Sequence, residues 1–223
     1  MGTMTESAKA LLPELIKIRR DFHEYPELSG KEEETAKKVA AYLKEMGCDQ
    51  VIEHVGGHGV IGVIKGASEG GVVALRADMD ALQIQEMNET EYRSRNDGVM
   101  HACGHDNHMT WLVGAAKLLL ERRDQIHGTV KLVFQPAEEL SPVGGSRGML
   151  ESGYLDDAKA VYGLHVWPDL PHGKVGVKAG PLMAATDHFT ITIHGKTAHG
   201  AKPDQGIDAV VLGAQFVMAA QSI

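Results

Sequence analysis

Two stretches near the start of the chain carry apolar residues at every third or fourth position. The spacing predicts an amphipathic helix over residues 5 to 23 and a second helix that ends near Gly47. Ser29, followed three residues later by Glu32, predicts a capping box at the start of the second helix. The apolar positions of the two helices are Leu11, Leu12, Leu15, Ile16 and Ile18, and then Val39, Ala40, Leu43 and Met46.

Four short runs rich in β-branched residues follow, and a longer periodic run at 106 to 123 predicts a helix among them. Because strands and helices alternate, the pattern predicts an α/β fold with a mixed, largely parallel sheet flanked by helices. The predicted strands are residues 59–64, 71–77, 128–134 and 158–164.

The pattern changes near residue 184. Residues 187–195 alternate apolar and polar side chains, which is typical of a strand covered on one face, and 207–221 is a helix candidate. We therefore expect a first domain over 5–183 and the beginning of an α+β domain over 184–223.

Composition narrows the class of protein. The chain has 223 residues, 43% of them hydrophobic, which is enough for a buried core. Its formal net charge of -8 argues against binding to nucleic acid or to an anionic membrane surface. Two cysteines cannot form a disulfide framework, and no apolar run suits a signal peptide or a membrane span, so we expect a cytoplasmic protein.

Side chains that bear chemistry follow the predicted strands. Asp78 and Asp80 come after the second strand, Glu138 and Glu139 after the third, and His165 after the fourth. Ligands of open α/β sheets bind beyond the carboxyl ends of the strands, so we expect these groups to lie close together.

The segment before the 106–123 helix adds a thiol and an imidazole. Cys103 and His105 are separated by Gly104, whose lack of a side chain lets both neighbours reach one point. Thiolate, imidazole and carboxylate are the ligands of zinc and of other first-row divalent ions. The sequence therefore predicts a metal site formed by Cys103, His105, Glu139 and His165.

Each of these residues also has a structural interpretation. Cys103 could be an inert buried thiol, which is what we expect of Cys48. We expect His101 and His108 to have structural roles. We expect Asp106 to cap the helix and to accept a hydrogen bond from a ligating histidine.

The adjacent Glu138 and Glu139 could form a solvated loop pair. Two carboxylates that follow a strand and a rigid Pro136 have different roles more often than they form such a pair: one binds metal and the other transfers a proton.

Six motifs occur in order along the chain from about Ile18 to its end. They are "RRDFHEYPELSGKEE", "ALRADMDAL", "MHACGHDNH", "QPAEE", "GLHVWPDLPHGKVGVKAGPLMAATD" and "GKTAHGAKPDQGIDAV". With these motifs the chain resembles the metal-dependent amidohydrolase branch of peptidase family M20, which includes hippurate hydrolases, N-acyl-amino-acid amidohydrolases and auxin-conjugate hydrolases.

The resemblance implies a zinc-peptidase-like catalytic domain, interrupted by a lid or dimerisation domain, that binds two divalent metal ions: zinc, manganese, cobalt or nickel. Glu138 matches the general base, Asp80 matches the aspartate that orients a ligand, and His199 matches the lid histidine that stabilises the oxyanion. The metal ligands that match are Cys103, His105, Glu139 and His165.

The expected reaction is hydrolysis of the amide bond of N-acyl amino acids or related small amides, in a homodimer formed through the lid domain. Two residues depart from the family pattern: Gln83 stands where proline is usual, and Asp204 where histidine is usual. Family members are longer, so one alternative is a truncated, catalytically inactive fragment. Another is a hydrolase that uses Cys103 as its nucleophile.

Overall fold

A computed structural model of the chain describes residues 3–140, 144–184 and 187–222. Contacts divide it into two compact units, Met1–Val177 and Lys178–Ile223. The assignment of residues 5–183 and 184–223 to two domains stays a prediction.

The first unit contains a five-stranded sheet and four α-helices among its described residues. In chain order these elements are α1 (Met4–Glu24), α2 (Glu33–Glu45), β1 (Gln50–Val55), β2 (Gly59–Lys65), β3 (Ser68–Asp78), α3 (His105–Leu120), β4 (His127–Gln135), α4 (Gly145–Glu151) and β5 (Ala158–Gly163).

The sheet is mixed, with the strand order β1-β2-β4-β3-β5. Strand β3 pairs in parallel with both β4 and β5, whereas β2 pairs antiparallel with β1 and β4. The predicted α/β fold with a mixed sheet and flanking helices is confirmed. Its parallel half is the half from which the chemistry-bearing loops leave.

Strands β2 and β4 are covered on both faces, which explains why they are continuous apolar runs. Val60, Ile64 and Leu132 pack with the apolar sides of α1, α2 and α3. Ile61 and Val133 point to the opposite face, where they pack with Met149 of α4. Of the apolar positions predicted for α1 and α2, Ile18, Val39, Ala40 and Leu43 lie in this core, whereas Leu12 and Ile16 are exposed.

Two predicted caps are wrong. Glu32 occupies the N-cap position of α2 but makes no side-chain capping bond, and the Ser29 hydroxyl donates instead to Asp80 Oδ2 at 2.7 Å. The N-cap of α3 is Gly104 rather than Asp106, which lies in the first turn. In both cases tertiary hydrogen bonds compete successfully with local capping.

Sequence reasoning also missed β1 and α4. The β1 segment contains Glu53 and His54 and is only partly buried, so its apolar pattern is weak. Helix α4 has seven residues, too few to show a helical period.

The second unit contains α5 (Ala209–Ala220), which confirms a helix within 207–221. Its N-cap is Asp208, whose Oδ1 accepts from the amides of Val210 and Val211. Helix α5 is apolar but short, and in the described part of the chain no helix has the length and apolarity needed to cross a membrane.

The strand predicted over 187–195 is wrong: these residues have no regular structure, and the nearest pairing is an isolated bridge between Lys196 and Ile207. An alternating pattern favours a strand, but a strand also needs a neighbour for its backbone hydrogen bonds. Within the described residues of this unit, the segment has no such neighbour.

Candidate metal centre

The carboxyl edge of the parallel half of the sheet carries the predicted site. Asp78 ends β3 beside Gln135 of β4, and Arg76 pairs with Gly163 of β5. The residues that follow these strands therefore leave the sheet side by side, as the sequence predicts.

His105, the first residue of α3, lies at the centre of this edge and is fully buried. Its Nδ1 lies 2.8 Å from the carbonyl oxygen of Asp80 and 3.2 Å from Asp80 Oδ1, which places the ring proton on Nδ1. Its Nε2 is buried and has no hydrogen-bond partner. Once Nε2 gives up its proton, its lone pair is oriented as in a metal-binding histidine.

Three carboxylates surround that nitrogen. The Nε2 atom of His105 lies 3.7 Å from Asp78 Oδ1, 3.8 Å from Glu138 Oε2 and 3.8 Å from Glu139 Oε1. Separations of this size leave room for a cation between the ligand atoms, because metal–ligand bonds to nitrogen and oxygen are about 2 Å long.

Among the described residues, three groups of side chains have ligand atoms within 4.8 Å of one another, and His105 belongs to all of them. Their thiolate, imidazole and carboxylate donors fit zinc and other first-row divalent ions. The groups are Cys103, His105 and His165; His105, Glu138 and Glu139; and Asp78, His105 and His108.

Cys103 and His165 face each other at the exposed side of the site, with Sγ 3.5 Å from Nε2. The Nδ1 of His165 lies 2.6 Å from the carbonyl oxygen of Val166, so a proton there leaves Nε2 free to act as a ligand. The same distance would also suit a thiol and its base.

Asp80 connects two of the predicted ligands. It contacts His105 through Nδ1, and its Oδ2 accepts from the amide of Glu139 at 2.9 Å and from the hydroxyl of Ser29. These contacts are of the kind expected for a residue that orients ligands. Its assignment as the orienting aspartate stays a prediction.

The electrostatics of the site favour a bound cation. Burial lowers the pKa of His105, but the hydrogen bond to Asp80 and the interactions with the Cys103 and Asp78 side chains outweigh it and raise the pKa to about 11. The negative groups therefore stabilise positive charge at this position, and a divalent ion that binds there would displace a proton.

The paired glutamates differ in their surroundings. The Glu138 side chain is 40% exposed and that of Glu139 is 24% exposed. Burial, together with the charges of Asp78 and Glu139, raises the pKa of Glu138. A carboxylate with a raised pKa is suited to accept and release a proton.

Asp78, which the sequence placed at this edge without a role, forms a buried pair with His108, for which we expected a structural role. His108 Nδ1 lies 2.6 Å from Asp78 Oδ1, and His108 Nε2 accepts from the amide of Val166. Burial raises the pKa of Asp78, but His108, His105 and Arg76 together hold it well below its usual range. The signal for Asp78 was its position, because it ends β3 at the edge where the predicted ligands lie.

Two buried residues near the ligand loop have other surroundings. Neither ring nitrogen of His101 has a hydrogen-bond partner, and burial lowers its pKa to about 4, which keeps the ring neutral. Asp106 accepts a hydrogen bond from His23 at 2.7 Å and forms an ion pair with Arg19 at 2.8 Å. We had expected it to accept from a ligating histidine instead.

Two predicted residues lie away from this cluster in the chain. His199 belongs to the second unit, where it is exposed and its Nδ1 accepts from the amide of Ala201. Its predicted role at the oxyanion stays a prediction. Cys48 is half-buried, and burial raises its pKa to about 11, in keeping with an inert thiol.

Comparison with characterised proteins shows similarity along almost the whole chain. The chain is 46% identical over 215 residues to the N-acetylcysteine deacetylase of Bacillus subtilis, covering 96% of this chain and 56% of that protein. It is 46% identical over 222 residues to an N-acyl-L-amino acid amidohydrolase of Geobacillus stearothermophilus, covering 98% and 60%. The chain thus spans a little over half the length of these relatives.

A solved structure and a family profile agree with these similarities. The crystal structure of Bacillus subtilis YXEP, described as a dinuclear metal binding peptidase from the M20 family, superposes with a TM-score of 0.74 at 48% identity, covering 78% of this chain and 48% of that one. The profile described as peptidase family M20/M25/M40 matches residues 74–220, which include every predicted ligand. This chain therefore belongs to peptidase family M20/M25/M40, in its amidohydrolase branch.

Proposed function

We propose that the protein is a metal-dependent amidohydrolase whose centre holds two divalent ions. The observation that carries the proposal is the buried, unpartnered Nε2 of His105, which lies among Asp78, Glu138 and Glu139. Buried polar and charged groups without partners are energetically costly, and a bound cation would complete the coordination of these groups. The proposed ligands are Cys103, His105, Glu139 and His165, and the ions are zinc, manganese, cobalt or nickel.

The proposed substrates are N-acyl amino acids and related small amides. Two relatives that are each 46% identical to this chain are named for N-acetylcysteine and for N-acyl-L-amino acids. Because this chain spans about half of their length, its substrate and its assembly as a homodimer through the second unit are both proposals. A cytoplasmic location also stays a prediction.

In the proposed mechanism, Glu138 moves the proton. Bound metal ions supply Lewis acidity, which lowers the pKa of water and polarises the amide carbonyl. Glu138 accepts a proton from the attacking water at its partly exposed carboxylate and later delivers it to the leaving amine. Asp80 keeps His105 and Glu139 oriented, and His199 donates a hydrogen bond to the developing oxyanion.

The first test is the metal content of the Cys103→Ala variant. We expect it to bind less cobalt or zinc than the wild-type chain, because a thiolate ligand is lost, and we expect wild-type binding to weaken as pH falls. Elemental analysis after dialysis measures the stoichiometry. Cys48→Ala is the matched control and should retain the wild-type metal content; unchanged metal in Cys103→Ala would remove Cys103 from the site.

The second candidate, a hydrolase with Cys103 as nucleophile, is favoured by one observation, the 3.5 Å separation of its Sγ from His165 Nε2. It gives Glu138 and Glu139 no role. A chelator separates the two mechanisms in a longer protein that turns substrate over. Loss of turnover that is restored by a divalent metal supports the metal mechanism, and turnover that survives metal removal supports the thiol.

A further inference from the structure

One acidic side chain beside the metal centre has no role in the proposed mechanism. Glu32 is 0% exposed and stands at the N-cap of α2 without capping that helix. Its Oε1 accepts instead from the amide of Gly30 at 2.9 Å and from the amide of Ala137 at 2.7 Å. The side chain thus connects the start of α2 to the loop after β4.

Ala137 is an unusual residue for the conformation that it adopts. Its φ is 51°, in the left-handed region that favours glycine, and it directly precedes Glu138 and Glu139. A non-glycine residue keeps such a conformation only when the surrounding structure holds it there. The hydrogen bond from its amide to Glu32 is a contact that does so.

The neighbouring Ser29 holds the next part of the same loop. Its hydroxyl donates to Asp80 Oδ2, which also accepts from the amide of Glu139. The amides of Ala137 and Glu139 therefore both depend on the 29–32 segment, the first directly through Glu32 and the second through the contact of Ser29 with Asp80. These two amides bracket Glu138.

The chemistry of Glu32 is hard to explain as packing. Burying a carboxylate is costly, and its Oε2 is buried without a hydrogen-bond partner. An apolar side chain of similar length would fill the same space without that penalty. An apolar residue could not, however, accept a hydrogen bond from the amide of Ala137.

We propose that Glu32 is a positioning residue for the paired glutamates: it holds Ala137 in its left-handed turn and so directs Glu138 and Glu139 toward His105. The inference rests on the proposed metal centre. It concerns the shape of the loop, so it can also be tested without metal.

The test compares Glu32→Met, Glu32→Gln and the control Glu33→Met in this chain. Met removes the acceptor at similar length, whereas Gln keeps one oxygen for the two amides. Glu33 is the exposed neighbour, which pairs with Lys37. Hydrogen exchange at the Ala137 amide is measured in metal-free protein, and the dissociation constant for Co²⁺ is measured by titration.

We expect Glu32→Met to accelerate exchange at Ala137 and to weaken Co²⁺ binding by about 10–100-fold, as is typical when a residue that supports metal ligands is lost. Glu32→Gln and Glu33→Met should remain within a few-fold of wild type in both measurements. Protection at Ala137 and Co²⁺ affinity that are unchanged in Glu32→Met would overturn the inference, as would a Gln variant as impaired as Met.

A second substitution separates positioning from general destabilisation. Glycine adopts the left-handed conformation readily, so Ala137→Gly combined with Glu32→Met should recover part of the lost Co²⁺ affinity. A variant that is merely less stable would gain nothing from added loop flexibility. If the double variant binds Co²⁺ no better than Glu32→Met, the turn is not what Glu32 supports.

The outcomes also distinguish this inference from the proposed function. If the wild-type chain binds no Co²⁺, the proposed metal centre fails, and the exchange data alone then decide whether Glu32 holds the turn. If wild type binds Co²⁺ through Cys103 and Glu32→Met binds it equally well, only the inference fails. Should Glu32→Met not fold, Glu32→Asp, which withdraws the carboxylate by one methylene, takes its place in both measurements.

Discussion

Glu138 and Glu139 are adjacent in sequence, yet their surroundings assign them different work. The amide of Glu139 is held by Asp80, whereas the more exposed Glu138 has a raised pKa because of burial and of the charges of Asp78 and Glu139. We expect Glu139→Gln to lose metal and Glu138→Gln to keep it. In a protein that turns substrate over, Glu138→Gln should lose about 10²–10⁴-fold in kcat, the usual effect of removing a general base.

Metal analysis and steady-state kinetics on the two variants decide this assignment. Glu53→Gln, an isosteric change on the β1 edge, serves as the control and should alter neither quantity. Near-normal turnover by metal-loaded Glu138→Gln would show that another group moves the proton.

His23 provides a prediction about pH. Burial lowers its pKa, but hydrogen bonds to Asp106 and Glu86 outweigh this and raise the pKa above its ordinary value near 6.5. Protonated His23 therefore stabilises the folded chain. That stabilisation is fully present below the unfolded-state pKa and is lost as pH rises through the higher folded-state pKa.

Urea unfolding of metal-free wild type and His23→Gln between pH 6 and pH 9 measures the effect. The difference in free energy of unfolding between them should shrink as pH rises. His172→Gln, a change at an exposed histidine, should show no such trend. A difference for His23→Gln that is constant across this range would contradict the prediction.

The turn at Gly104 joins Cys103 to α3 and so sets the positions of the two predicted ligands Cys103 and His105. Gly104 has a φ of 92°, and a Cβ built there would lie 2.5 Å from Cγ2 of Val166, the residue after His165. We expect Gly104→Ala to destabilise the chain by about 1–3 kcal/mol through backbone strain and overpacking, and to weaken Co²⁺ binding.

Gly98→Ala is the matched control, since Gly98 also has a positive φ, 74°, but open space around its Cβ position. It should show the backbone effect alone, with Co²⁺ affinity retained. Urea unfolding and metal titration measure the two effects. If both variants lose the same stability and neither loses affinity, the contact with Val166 does not matter to the site.

Helices α3 and α5 differ in how much of their surface is buried by tertiary packing. Nine residues of α3 are buried, whereas α5 has no buried residue in its described part and exposes Val210 and Met218 by 80% and 73%. Short helices depend on tertiary packing for most of their stability. We therefore expect amides of α5 to exchange faster than those of α3.

Hydrogen exchange at several protein concentrations measures this difference. Protection of α5 that rises with concentration would support the proposed dimer, because a second copy would then cover its apolar side chains. Protection of α5 equal to that of α3 in dilute solution would contradict the prediction.

Patterns in the sequence were enough to predict the fold class, the strands β2 to β5 and the side chains that converge on the edge of the sheet. These features depend on local periodicity and on one general rule, that ligands of open α/β sheets bind beyond the carboxyl ends of the strands. The six motifs also predicted that the chain belongs to the M20 family, and the family profile confirms this.

Tertiary structure alone decided how those side chains are held. The pairing of Ser29 with Asp80, of Glu32 with Ala137 and of His108 with Asp78 joins residues 30 to 105 positions apart. Local patterns predicted caps at Ser29 and Asp106 because nearby amides are the nearest partners in sequence. The folded chain brings more distant donors and acceptors into buried positions, where an unmade hydrogen bond is costly, and these distant pairings prevail.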